Sequence, residues 1–329
     1  MGCRSPCDDR MNLYRICVRP LSPWATPWQA DTLAGLLCWS LARLEGEQTL
    51  RERILGPAAA GRPPFVLSDA FPGDLLPVPA QLRLRKWPAE VRKTVKRSRW
   101  VSADSFRRFQ TGSRIAVEDL ICNEMISSRE HLHNTISRET NTTGAPGSLF
   151  MLEDLVLEGS EKHNPSNTLS IYLRAVPESE ALLRDLFHAL SNYGFGADVS
   201  VGKGAFELAS DLEPVDWLDA HADTADGVVV LSTFQPGESD PVDGCWESFT
   251  KYGKLGPGLS VENVFKRPLV LLRPGACFRI SPVRPFLGRG ITMTQLLSKG
   301  VCDDLKSRNV EVMHLAFGVA VPVQLGGDS

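Results

Sequence analysis

Long apolar runs are missing from this 329-residue sequence. No stretch of roughly 18 apolar residues occurs, so the sequence predicts no membrane-spanning helix. The first ten residues have no apolar core behind a charged start, and they are not expected to act as a secretory signal. Both absences favour a cytoplasmic protein.

Cysteine and histidine pairs at metal-binding spacing are also missing. The eight cysteines are scattered along the chain, and Cys3 and Cys7 have no second Cys or His pair nearby at zinc spacing. Scattered cysteines without an export signal are typical of reduced thiols. We therefore expect neither a metal site nor a cofactor.

Positive charge is absent from one long span and concentrated in another. From Glu207 to Glu247 there are eleven Asp or Glu and no Lys or Arg. From Arg83 to Arg108 there are ten Lys or Arg against two carboxylates. The overall net charge of −3 therefore hides one basic and one acidic region. The basic region is either a contact for a polyanion or a solvated charged helix.

Hydrophobic periodicity predicts an α+β fold. Strands are expected at 12–18, 65–68, 149–157, 168–176 and 205–209, and helices from Asp31 to about Leu44 and at about 178–192. Without an irregular, basic insertion at about 72–147, the order is β-α-β-β-α-β, which is ferredoxin-like. A second set of strands is expected at 227–234, 246–252, 268–273, 276–280 and 310–321. We predict two tandem ferredoxin-like (RRM-like) domains, residues 11–212 with the basic insertion and a smaller one at 213–329.

A glycine-rich segment follows the second predicted helix. It contains Gly194, Gly196, Gly202, Lys203 and Gly204. The spacing fits neither a phosphate-binding P-loop nor a dinucleotide fingerprint, because five residues separate Gly196 from Gly202 and the segment leaves a helix instead of opening one. Glycines allow backbone N–H groups to approach an anion, and Lys203 adds charge. The alternative is a tight turn that requires positive φ.

A polar segment from His131 to Gly144 is rich in hydrogen-bonding groups and is expected to form an exposed hairpin or loop. Its two histidines, His131 and His133, could act as base and acid in RNA cleavage. Arg138 and its asparagines suit contacts with phosphates and base edges better.

Several motifs together resemble a known family. In chain order they are an opening strand, residues 30–39 and 64–73, His133-Asn134-x-Ile136-x-Arg138-x-Thr140, the glycine-rich segment, Leu231-Ser232-Thr233-Phe234-x-Pro236 and Tyr252-Gly253-Lys254-Leu255-Gly256. Over about residues 12–280 this pattern is similar to the fourth subunit of the type III-A CRISPR Csm complex, a RAMP-superfamily protein.

The resemblance implies a protein without an active site that binds the repeat-derived tag at the 5′ end of the CRISPR guide RNA. It also implies contacts with the large polymerase-like subunit and the backbone RAMP subunit within a hetero-oligomeric ribonucleoprotein. The chain departs from the pattern just after Gly196, where relatives tend to have basic residues and this chain has Asp198 and Val199. That departure weakens the expectation that this part of the segment binds phosphate by charge.

Two hypotheses follow. In the first, the chain is a guide-RNA-binding subunit, and the expected contacts are His133, Asn134, Arg138, Thr140, Gly194, Gly196, Gly202, Lys203 and Gly204, with Lys93, Lys96, Arg97 and Arg99 supplying long-range attraction. In the second, it is a metal-independent RAMP endoribonuclease that processes precursor CRISPR RNA, with His131 or His133 as general base.

Overall fold

The computed structural model describes residues 11–122, 125–134, 142, 149–159, 163–256 and 259–326. The strands are β1 Asn12–Pro20, β2 Phe65–Pro72, β3 Leu76–Pro77, β4 Ser98–Val101, β5 Leu120–Cys122, β6 Ile126–Asn134, β7 Leu149–Leu157, β8 Leu169–Ala175, β9 Phe206–Leu208, β10 Glu213–Pro214, β11 Gly227–Val230, β12 Gly244–Cys245, β13 Ser248–Lys251, β14 Leu269–Leu272, β15 Ala276–Arg279, β16 Phe286–Thr292 and β17 Met313–Val323. The helices are α1 Ala30–Glu45, α2 Glu47–Leu50, α3 Gly56–Ala59, α4 Ala80–Leu84, α5 Arg92–Arg97, α6 Ala103–Gln110, α7 Glu180–Tyr193, α8 Met293–Leu296 and α9 Lys299–Ser307. This mixture of helices and antiparallel strands confirms the α+β class.

The first sheet has the strand order β10-β1-β8-β2, with β9 also paired to β1, and every pairing is antiparallel. Alternation along β1 buries Tyr14, Ile16 and Val18, because successive side chains of a strand point to opposite faces. Arg15 points the other way and forms ion pairs with carboxylates on neighbouring segments. The order β1-α1-β2-β8-α7-β9 is the β-α-β-β-α-β order that the sequence predicts for the first half.

The second sheet has the order β12-β15-β11-β17-β16. In the described part of the chain, no helix lies between β11 and β15. Helices α8 and α9 both lie between β16 and β17. The expected strand at 246–252 forms only Ser248–Lys251, and it pairs with β14 in a separate two-stranded sheet. A second ferredoxin-like domain is therefore not confirmed. Residues 286–292 and 299–307, which the sequence analysis left unassigned, supply a sheet edge and a helix.

The insertion between β2 and β8 folds into two parts. Strands β3, β4 and β5 form a small sheet, beside which Phe106 and Phe109 of α6 are buried. Strands β6 and β7 form a long hairpin, so the expected strand at 149–157 joins this hairpin and not the first sheet. Backbone hydrogen bonds between Trp24 and Leu155 attach the base of the hairpin to the body.

The two halves share buried contacts. One cluster of buried apolar side chains runs from Leu13 to Leu325. The Ser232 hydroxyl donates to the Leu67 carbonyl at 2.7 Å, and Asp69 accepts from the backbone N–H and the hydroxyl of Thr233. The boundary at residue 212 stays a prediction. None of the described helices is long and apolar enough to cross a bilayer.

Candidate nucleic-acid interface

The four glycines of the glycine-rich segment all have positive φ, but their surroundings differ. A Cβ on Gly204 would lie 2.0 Å from the Phe195 carbonyl oxygen, and one on Gly196 would lie 2.8 Å from the Cβ of Thr26. A Cβ on Gly202 would meet nothing within 4 Å. Close packing within the protein therefore explains Gly196 and Gly204, whereas Gly202 faces open space.

Backbone N–H groups of this segment are largely used inside the protein. Phe195 N–H donates to the Gly204 carbonyl at 2.8 Å, and Gly204 N–H donates to the Pro23 carbonyl at 2.8 Å. Gly202 N–H donates to Val199, and Ala197 N–H donates to the Thr26 hydroxyl. These bonds are typical of a structural turn held by its own backbone and by Pro23 and Thr26, which agrees with the alternative interpretation of the segment. A phosphate at these groups would have to displace existing hydrogen bonds.

Lys203 is paired within the protein. Its Nζ lies 2.7 Å from Asp154 Oδ1, and only 12% of the Lys203 side chain and 6% of the Asp154 side chain are exposed. The hydrogen bond to Asp154 raises the pKa of Lys203. The Nε2 atom of His131 lies 3.4 Å from the other carboxylate oxygen. The ion pair joins the glycine-rich segment to strand β7 of the hairpin, so these two sequence-predicted parts do meet.

The predicted contacts on the hairpin are only partly described. His133 and Asn134 end strand β6, whereas Arg138 and Thr140 lie outside the described residues. On the hairpin surface, Leu132 and Met151 are cross-strand partners and both are more than half exposed. The exposed outer part of the hairpin is thus available to a partner molecule.

The predicted basic residues lie together on the surface of the insertion. Lys93, Lys96, Arg97 and Arg99 are exposed, and no ion pair joins them to a carboxylate in the described part of the chain. We call these four residues the basic patch. Val95, which is 3% exposed, anchors α5 in the core and turns the charged side chains outward. The basic patch retains its positive charge for an external anion.

A cavity that the sequence analysis missed lies beside the basic patch. It has a volume of about 210 Å³ and lies between the base of the hairpin, the β3-β4-β5 part of the insertion and β15. Its wall includes Trp24, Trp28, Trp100, Arg83, Arg99 and Arg273. Trp24 and Trp28 lie close together in the sequence, between the prolines of one loop. Sequence analysis could not group the three arginines with them, because the arginines come from segments far apart in the chain.

Within the described residues, no group of His, Cys, Asp or Glu has an arrangement that could hold a metal ion. The described surface combines a basic patch, a projecting hairpin and an aromatic cavity with arginines at its wall.

Comparison with known proteins gives matches at the level of the fold. No family model and no curated protein matches the sequence. Among solved structures, Csm4 in the crystal structure of the Csm1-Csm4 cassette in complex with pppApA matches with a TM-score of 0.60 and 16% identity, over 96% of this chain and 100% of that chain. Csm4 in the Csm3-Csm4 subcomplex of the type III-A CRISPR-Cas interference complex matches with a TM-score of 0.58 and 14% identity, over 94% and 99% of the two chains.

These matches run over nearly the whole length of both chains. At the level of the fold, they confirm the resemblance that the sequence motifs indicate. The chain therefore has the fold of Csm4, which forms a subcomplex with Csm3 in the type III-A CRISPR-Cas interference complex.

Proposed function

We propose that this chain is a non-catalytic RNA-binding subunit of a type III-A CRISPR effector complex, in which it holds the 5′ repeat-derived tag of the guide RNA. The observation that carries the proposal is the placement of an exposed basic patch beside a projecting hairpin and an aromatic cavity, in a chain with the Csm4 fold. Cations supply sequence-independent attraction to phosphates, and aromatic faces hold unstacked bases.

The first half of the chain supplies the basic patch, the hairpin and most of the cavity wall. The second half, whose sheet has a different strand order, contributes Arg273 and Ala276 to the cavity wall. Because the matching Csm4 chains are in complexes with Csm1 and with Csm3, we propose that this chain assembles with a large polymerase-like subunit and a backbone RAMP subunit.

Co-expression tests this function. The chain, the large subunit, the backbone subunit and a repeat–spacer transcript are produced together, and the RNA in the purified complex is sequenced. We expect guide RNA that begins with the repeat-derived tag, and reduced loading when the tag is replaced by an unrelated sequence of the same length. Equal loading with either sequence would show that the tag is held elsewhere.

One observation favours the ribonuclease alternative. His131 is half exposed and lies 3.4 Å from Asp154, which resembles a base with an orienting carboxylate. Asp154 also accepts from Lys203 at 2.7 Å, so its charge is already neutralised. We expect no cleavage of repeat RNA by the purified chain in the absence of metal. Site-specific cleavage that disappears in His131→Ala or His133→Ala would establish the alternative.

A further inference from the structure

The motif from Tyr252 to Gly256, which follows β13, is only partly explained by packing inside the protein. Leu255 is buried, and a Cβ on Gly256 would lie 2.2 Å from Nε1 of Trp39. Tyr252, by contrast, is 74% exposed, and Lys254 is also exposed. Internal packing therefore accounts for the second part of the motif and leaves the first part without an explanation.

Strand β13, which leads into this motif, has an open edge. The Arg273 N–H donates to the Glu247 carbonyl at 2.9 Å at the end of the β13-β14 ladder. Because the backbone groups of an antiparallel strand point alternately toward and away from its neighbour, those of Ser248, Thr250 and Tyr252 point away from β14. In the described part of the chain, these outward N–H and C=O groups have no backbone partner.

The outer edge of β14, on the other side of this two-stranded sheet, is closed by the chain itself. The Leu272 N–H donates to the Phe234 carbonyl at 2.8 Å, and Gln235 Nε2 donates to the Val270 carbonyl at 3.1 Å. The open groups are therefore those of β13. An unpaired strand edge is a template for the addition of another strand.

An exposed apolar face adjoins the open edge. Thr250 and Val270 are cross-strand partners, and Lys254 pairs with Phe265 in an isolated bridge. Val270 and Phe265 are each 57% exposed, and the Lys254 ammonium lies 5.2 Å from the centre of the Phe265 ring. Tyr252 lies two residues from both Thr250 and Lys254, which places it on the same face. Contiguous exposed apolar surface of this kind is typical of a contact with another molecule.

The charge beside this face is positive. From Tyr252 to Pro268 the chain has three Lys or Arg and one carboxylate, Glu262. Lys254 and Arg267 are exposed, and among the described residues no ion pair joins either of them to a carboxylate. A second copy of this chain would bring the same cations to the edge, and like charges oppose such pairing. The face is therefore complementary to a segment that carries carboxylates.

We infer that β13 receives an extended segment of a partner subunit, which pairs with its outer edge as an added strand. Apolar side chains of that segment cover Tyr252, Phe265 and Val270, and its carboxylates pair with Lys254 and Arg267. An extended peptide offers donors and acceptors that match both kinds of open group, whereas the phosphates of RNA offer only acceptors. The inference rests on the proposed function, because the partner is a subunit of the same complex.

Two substitutions at Thr250 test the pairing in the co-expressed complex. Thr250→Pro removes an outward N–H and sets a ring against the added strand, but it removes no hydrogen bond to β14. Thr250→Val is the matched control, because it keeps the N–H and a β-branched side chain. We expect Thr250→Pro to weaken association with the partner subunit by roughly tenfold, and Thr250→Val to associate like the wild type. Both variants should melt at the temperature of the wild type.

Hydrogen exchange gives a second measurement, on the unchanged chain. A peptide covering residues 248–254 is followed in the free chain and in complexes assembled with and without guide RNA. We expect fast exchange of the outward amides in the free chain and loss of this fast exchange in both complexes, because the added strand accepts from these amides.

The outcomes separate this inference from the proposed function. A complex that assembles and loads tagged RNA, but leaves this peptide unprotected and the two Thr250 variants alike, overturns the strand pairing and leaves the tag-binding function intact. Protection that requires guide RNA would make RNA the occupant, and a dimer of the free chain that Thr250→Pro dissociates would make it a second copy. Either result overturns the inference. A chain that joins no partner subunit overturns the inference and the proposed function together.

Discussion

Asp31 lies at the start of α1 and is surrounded by basic side chains from the second half of the chain. Lys251 Nζ lies 2.7 Å from its carboxylate, and His314 Nε2 lies 3.2 Å from it. The Nζ of Lys266 lies 3.4 Å from the other ring nitrogen of His314. These four buried or partly buried groups connect α1 to segments that follow it by more than 200 residues. The packing of the two halves therefore sets the charge around Asp31 and His314.

We predict that His314 lowers the free energy of unfolding as the pH is lowered from about 7.5 to 5, against the opposite effect of Asp69, whose pKa burial raises to about 6. Burial lowers the pKa of His314 below its usual value of 6.5, and the nearby lysines add to this against the effect of Asp31. Stability from the neutral ring is present above the unfolded-state pKa and is lost as the pH falls through the folded-state pKa. Asp31, whose pKa is also depressed by His314 and Lys251 despite its burial, adds a loss only at lower pH.

Urea unfolding at several pH values measures this dependence. His314→Gln should remove the loss of stability that His314 contributes between pH 7.5 and 5, whereas the matched control His188→Gln, at an exposed position on α7, should not. Parallel curves for His314→Gln and the wild type would contradict the assignment.

Lys203 and Asp154 are expected to stabilise the fold and not to bind RNA directly. Lys203→Met leaves the Asp154 carboxylate buried without its main cation, and the free energy of unfolding should fall by about 1.5–3 kcal/mol. Pairing Lys203→Met with Asp154→Leu should recover part of that loss, because neither charge then remains buried alone. Guide-RNA loading should follow stability across the wild type and these two variants. Loss of RNA in the stable double variant would instead make Lys203 an RNA contact.

At the scale of elements, α5 and the start of β4 present the basic patch. Changing Lys93, Lys96 and Arg97 to Gln should weaken binding of tagged and scrambled RNA by the same factor. Each lost phosphate contact should reduce the slope of log affinity against log salt by about 0.7. The matched set Arg19, Arg53 and Arg62 to Gln lies outside the basic patch and should change neither quantity. Failed assembly with unchanged RNA affinity would identify α5 as a protein interface.

The long hairpin and the first sheet differ in how they depend on the rest of the chain. The hairpin is attached to the body of the protein through Trp24 and Leu155. The parts of its two strands that lie farther from this attachment are exposed. Strand β2 is buried along its whole length between β8 and the second half. We therefore expect that the hairpin can be shortened without exposing the core. Removal of the segments that pack on β2 would expose buried apolar side chains.

At the scale of the whole molecule, we predict that residues 11–212 do not fold stably alone. In a fragment that lacks residues 213–326, the surfaces of α1 and β2 that pack on β17 are exposed. The Arg174 side chain also loses its partners Asp219 and Ala320. Circular dichroism and size-exclusion chromatography should show a fragment that aggregates or melts well below the full chain. A full chain with 130–153 replaced by a two-residue turn is the control, and it should melt cooperatively. A monomeric fragment with a melting temperature near that of the full chain would support independent domains.

The sequence by itself determined the elements whose signals are local. Alternation along residues 12–18 and helical spacing after Asp31 gave β1 and α1 almost at their observed bounds, because each pattern depends only on the geometry of its own backbone. The same holds for the exposure of Lys93 and Lys96 around the buried Val95. Local patterns were thus sufficient for the α+β class and for the basic surface.

Only the tertiary structure decided which distant groups meet. It paired Lys203 with Asp154, joined Asp69 to Thr233 across 164 positions, and brought Arg83, Arg99 and Arg273 around one cavity. It also gave the second sheet an order that periodicity did not indicate. The local sequence pattern around a charged or aromatic residue is the same whether that residue is on the surface or lines a site. Its role is settled by which partners the packing of the two halves places beside it.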